Sequence, residues 1–161
     1  IMPAVLALAE RDGRSGAALL TAFVAGLETE ARVGLFMGDS HYAAGWHATA
    51  TIGTFGAAAG SASLMGLDAD QTAMALGIAA TQAAGLKSMF GTMCKPLHAG
   101  KASENGLLAA DLASRGFTSR SDALECFQGF GFTQSETVSA TAAPPTRPQG
   151  ETRLAIKPVS R

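Results

Sequence analysis

The residues able to move a proton or hold an anion fall in two short stretches. One is His41-Tyr42-Ala43-Ala44-Gly45-Trp46-His47. The other is Cys94-Lys95-Pro96-Leu97-His98-Ala99-Gly100. Lys95 stands before Pro96, which biases it to an extended backbone. A helix is expected to start at about Lys101, placing His98 just ahead of a helix N-terminus. Unbonded N–H groups and the helix dipole favour an anion there. A lysine, a histidine and a helix start so close together suit a carboxylate: one group binds the anion and another moves a proton. Taken singly, each has a plainer reading. A loop histidine is most often a solvated or capping residue, and a lone lysine most often lies on the surface.

Other chemistries find less support. His41 and His47 are six apart and lack the i, i+4 spacing of a helical metal pair, so no metal site is expected. Two cysteines, Cys94 and Cys126, cannot form a four-thiolate zinc site or hold an iron–sulfur cluster in the usual way. They form no disulfide framework either, and a reducing cytoplasm is the expected setting. Cys94 beside Lys95 could have a lowered pKa, but a bystander thiol is the better expectation. The glycine-rich runs follow no strand, so neither a Rossmann fingerprint nor a P-loop is supported.

These groups need a scaffold, and the pattern predicts helices. Pro3 to Glu10 reads as a short helix, and Ser15 as the N-cap of a long second one. In that helix Leu20, Phe23, Val24, Leu27 and Ala31 form one apolar stripe. Gly38 to Gly45 breaks it, and all three histidines are placed at such breaks. Ala48 to Met65 is small and apolar throughout. Gly56 and Gly60 there are four apart, so another backbone can approach closely. Asp68 and Gln71 have capping-box spacing for a helix running to about Ala84. Gly85 to Gly100 reads as irregular, followed by helices over 101–115 and 121–127. Beyond Gln134 the composition turns to Ser, Thr, Ala and Pro, the mark of a tail or linker, with one extended piece expected around Leu154–Ile156. The expected fold is therefore all-α, an irregular bundle of about six helices over residues 1–134, with a poorly ordered tail over 135–161.

Composition sets the outer limits. The 161 residues are 47% hydrophobic and 16% charged, with 19 glycines and a formal net charge of −1. That is enough to bury a core without staples. There is no cationic field for nucleic acid or an anionic membrane, and no apolar run long enough to span a bilayer.

Several blocks, in order, also resemble the MmgE/PrpD family. The first is His41 to His47 with the following Ala48-Thr49-Ala50-Thr51-Ile52-Gly53-Thr54-Phe55-Gly56. Next come Gly66-Leu67-Asp68 and Ala75-Leu76-Gly77-Ile78-Ala79. The most recognisable runs from Gly91-Thr92-Met93-Cys94-Lys95-Pro96-Leu97-His98 to Ala102, and Gly116-Phe117-Thr118 and Gly129-Phe130 continue the order. The resemblance implies part of a large helical domain, completed in the family by a smaller α/β lid, usually in a homodimer. It implies small di- or tricarboxylate substrates, no cofactor, and an active site between the two domains. His47 matches the family's active-site histidine after a Gly-aromatic pair, and Lys95 its active-site lysine; these are the expected catalytic residues. Tyr42 matches a pocket-lining position and His98 the histidine of a Lys-x-Leu-His motif; both are expected to bind substrate.

Family members carry an Asp and a further His upstream of the segment that starts here at Ile1, and neither is present. The lid is also missing. Ile156-Lys157-Pro158 resembles a motif that opens the lid, but its spacing from Phe132 is too short. The expectation is a lyase of the 2-methylcitrate dehydratase type, represented by a piece of its helical domain or a truncated gene product, inactive on its own. The competing expectation is a non-catalytic helical module that dimerises or binds a partner through an exposed apolar face.

Overall fold

Ser15 opens the longest helix because its Oγ accepts the Ala18 N–H at 3.2 Å, taking up an end donor that the helix cannot satisfy itself. The computed structural model describes residues 1–138. In chain order the helices are α1 (Met2–Arg11), α2 (Gly16–Ala43), α3 (Ala48–Met65), α4 (Ala69–Gln82), α5 (Cys94–Ser114) and α6 (Phe130–Gln134). A short 3-10 turn, Lys87–Met89, precedes α5. No strand occurs among the described residues; Trp46 and Leu86 make one isolated antiparallel bridge. The fold is all-α. The piece expected around Leu154–Ile156, and the tail from 139 onward, lie outside the described residues.

α3 is the axis of the bundle. Alanine, glycine, serine and threonine keep it slim, and α1, α2, α4 and α5 all pack on it. Its glycines sit at backbone-to-backbone crossings, as their spacing predicts. A Cβ added at Gly60 would lie 3.1 Å from Ala22 O, and one added at Gly26 of α2 would lie 2.5 Å from Gly56 O. α5 approaches from another side at Gly106, where a Cβ would lie 2.6 Å from Ala58 N. The few large side chains then gather at one end: Phe55 is fully buried, its ring edge-on to Phe130 at 4.8 Å, beside Met37, Ile52 and Ile78.

This packing overturns the expected stripe on α2. Leu20 is 59% exposed and Val24 42% exposed, whereas the buried row is Ala22, Gly26, Val33, Phe36 and Met37. At a crossing this tight the small residues mark the inside, so hydrophobicity alone selected the opposite face. α2 also outlasts the expected break. At Gly38 the backbone leaves the helix (φ 64°, ψ −172°), but one further turn follows and carries Ser40, His41 and Tyr42. Ser135 secures this kink by donating its hydroxyl to Met37 O at 2.5 Å.

The Asp68–Gln71 capping box forms in both directions, at 2.8 and 3.2 Å, and α4 ends at Gln82 rather than Ala84. α5 begins at Cys94, not near Lys101, so Lys95 is helical rather than extended. Pro96 occupies the first turn, where no intrahelical N–H bond is lost. Over 121–127 the chain makes turns in place of the expected helix; Arg120 pairs with Asp122, and Gln128 has a positive φ of 63°. No helix among the described residues is long and apolar enough to cross a membrane.

Candidate functional site

The chain between α2 and α3 is registered against the segment before α5 by backbone bonds. His47 N donates to Gly85 O at 2.9 Å and Lys87 N donates to Gly45 O at 2.8 Å. His47 is thereby held at the N-cap of α3, in an extended conformation (φ −87°, ψ 102°). Gly85 has a φ of 157°, and a Cβ there would strike that of Ala50 and come within 3.4 Å of the His98 ring. Glycine at this position lets the two segments close on each other.

That closure brings together side chains 51 positions apart. Nδ1 of His47 lies 2.9 Å from Nδ1 of His98, with ring centroids 5.1 Å apart. Phe90 sets its edge against the His47 ring at 4.9 Å. His47 is 6% exposed, while His98 is half-buried in the second turn of α5. Lys95 is exposed and lies three residues before His98, on the same side of α5. Burial lowers the His47 pKa from 6.5, and the positive character of His98 and then Lys95 adds to the effect. The surroundings of His47 therefore favour the neutral form of its imidazole.

Tyr42 is not joined to this pair. It is about half exposed, and Lys87 ties it down: Lys87 Nζ donates to the Tyr42 carbonyl at 2.8 Å and stands 3.7 Å above its ring. The free helix-start donors expected beside His98 are absent, because α5 starts earlier and its end is already satisfied. Thr92 accepts from Cys94 and Lys95, Leu97 donates to Met93 O, and Pro96 has no N–H. Positive charge beside the histidine pair therefore comes from Lys95 and the helix dipole, not from open N–H groups. Sequence reasoning did not single out Phe90, Lys87 or Gly85. Gly85 was legible only as a break, and the other two carry no spacing signal. A cavity of about 490 Å³ between α4 and residues 117–134 contains none of these groups.

His41 belongs to the scaffold. It sits inside the last turn of α2, not at a break, and is 1% exposed. Its Nδ1 donates to Gln134 O at 2.9 Å, its Nε2 accepts the Thr51 hydroxyl at 2.8 Å, and Trp46 stacks on it at 6.1 Å. One ring thus ties α2, α3 and α6. Burial lowers its pKa below 6.5, an effect only partly offset by the bond to Gln134. The unfolded chain binds this proton more readily than the folded one. Stability is therefore full above pH 6.5 and falls as the pH drops through and below it. The melting temperature should fall between about pH 7.5 and pH 5, and fall less in His41→Asn. Equal falls in both proteins would remove His41 as the cause. Among the described residues no group of three His, Cys, Asp or Glu side chains could hold a metal ion.

Comparison with known proteins agrees with the blocks read in the sequence. The model of the MmgE/PrpD N-terminal domain matches residues 1–141. The chain is 40% identical over 126 residues to the cis-aconitate decarboxylase-like protein oryM of Aspergillus oryzae, covering 73% of this chain and 26% of that protein. It is 34% identical to human cis-aconitate decarboxylase over 136 residues, covering 81% of this chain and 28% of that one. It is 36% identical to cis-aconitate decarboxylase of Aspergillus terreus over 152 residues, with 90% and 31% covered. The chain thus spans between a quarter and a third of the length of these relatives.

Proposed function

Because the chain belongs to the MmgE/PrpD family, we propose that the cluster of His47, His98 and Lys95 is a carboxylate site, part of a lyase acting on a small di- or tricarboxylic acid. The observation that carries this reading is a buried imidazole, its pKa lowered, in contact with His98, which lies one helical turn from the exposed Lys95. Lys95 holds a carboxylate of the substrate. His47 moves a proton at the carbon next to it, while positive charge stabilises the enolate-like intermediate.

Either reaction puts negative charge at that carbon: in loss of water His47 takes the proton and passes it to the departing hydroxyl, and in loss of CO₂ the C–C bonding pair stays on the acid, whose carbon then receives a proton that His47 has drawn from solvent. Relatives named as cis-aconitate decarboxylases favour decarboxylation of a cis-aconitate-like acid over dehydration of 2-methylcitrate. By itself this chain binds the acid without turning it over, because Lys95 is exposed and water competes for its charge. Phe90, Met93 (91% exposed) and Leu97 are exposed apolar side chains within a few positions of Lys95 and His98. They also favour a second reading, a non-catalytic module that docks a partner there.

Thermal shift separates the two. Millimolar cis-aconitate should raise the melting temperature by mass action, and acetate at equal ionic strength should not. Equal responses to both, or none, would favour the docking module.

A further inference from the structure

His98 spends its Nδ1 on His47, and among the described residues neither ring's Nε2 has a hydrogen-bond partner. A bond between two Nδ1 atoms needs a hydrogen on one and a lone pair on the other. With a hydrogen on both, two N–H groups would face each other at 2.9 Å. The pair therefore excludes the state with both rings charged, and the tautomer of one ring fixes that of the other. Resting on the carboxylate-site reading of His47, we propose that His98 is a positioning residue. It holds the His47 imidazole by Nδ1 and leaves Nε2 as the nitrogen presented to the acid; the contact alone allows either paired tautomer, and the neighbouring positive charge of Lys95 favours the one with Nε2 bare.

The surroundings of His47 support this. Phe90 packs on the ring edge-on, and the backbone N–H is fixed to Gly85 O. The titratable groups acting on the ring are His98 and Lys95, both from α5. The segment before α5 offers an aromatic edge and a carbonyl, and His41 of α2 is turned toward Thr51 and Gln134. No other group among these orients the imidazole by a hydrogen bond.

The test is imidazole nitrogen NMR on the ¹⁵N-labelled chain, comparing the unaltered protein with His98→Asn and His98→Leu. In the unaltered protein His47 should show one protonated and one bare nitrogen, with a preference of roughly tenfold, as one ordinary hydrogen bond supplies. His98→Asn should keep that pattern, since an amide can donate or accept at the same place. His98→Leu should average the two nitrogens and move the His47 titration up toward 6.5. A mixed tautomer in the unaltered protein would overturn the proposal, even if the Leu variant does not fold. So would a His47 spectrum unchanged in a folded His98→Leu. A locked tautomer in a protein that ignores carboxylates would instead leave the pair standing and remove the functional reading.

Discussion

Phe55→Ala should cost about 3–5 kcal/mol, the largest stability loss expected from one side chain here. Phe55 is fully buried in α3 and meets the Phe130 ring edge-on at 4.8 Å. More than half of the other buried residues of its cluster are alanines; the rest are Val33, Phe36, Met37, Ile52, Ile78 and Phe130. Alanines have no rotamers with which to fill a void, so the cavity persists and its cost adds to the lost burial. The loss should also spread to the site. Phe130 begins α6, whose Gln134 carbonyl holds His41, and His41 bonds to Thr51 one turn after His47. A total stability of about 5–15 kcal/mol is usual for a domain, so the variant should melt far lower or fail to fold. Chemical denaturation checks this; a loss below about 1 kcal/mol would mean that α6 does not close the core.

Local chemistry was legible in the sequence and cross-chain geometry was not. The Ser15 cap, the Asp68–Gln71 box and the extent of α3 depend on residues within one turn, and each formed as its spacing predicts. The buried face of α2 was misread because Ala22 and Gly26 face inward through their smallness, leaving Leu20 and Val24 outside. Pro96 looked like a helix breaker, yet it lies in a first turn, where that defect has no cost. Lys95 and His98 were joined by their spacing and His47 was added by the family resemblance, since no spacing linked it to them. The contact of His47 with His98 depends on Gly85 accepting a φ of 157°, and no periodicity encodes that.

Lys95→Ala should weaken binding of a tricarboxylate by about 10- to 100-fold. A charge-assisted hydrogen bond contributes about 1.5–3 kcal/mol, and each 1.4 kcal/mol is tenfold in Kd. Lys95 is exposed in the first turn of α5, so its removal leaves the core untouched and the fold should survive. The backbone cannot take its place, because the N–H groups at that helix start are already bonded to Thr92 and Met93. High salt should mimic the variant, since an exposed charge is screened.

The most direct measurement follows the imidazole resonances of His47 and His98 while cis-aconitate is titrated into the chain. The carboxylate-site account predicts that both rings shift together and saturate in the unaltered protein. In Lys95→Ala the same shifts should need about 10- to 100-fold more acid. Rings that stay still while the acid binds elsewhere, or that shift identically without Lys95, would contradict it.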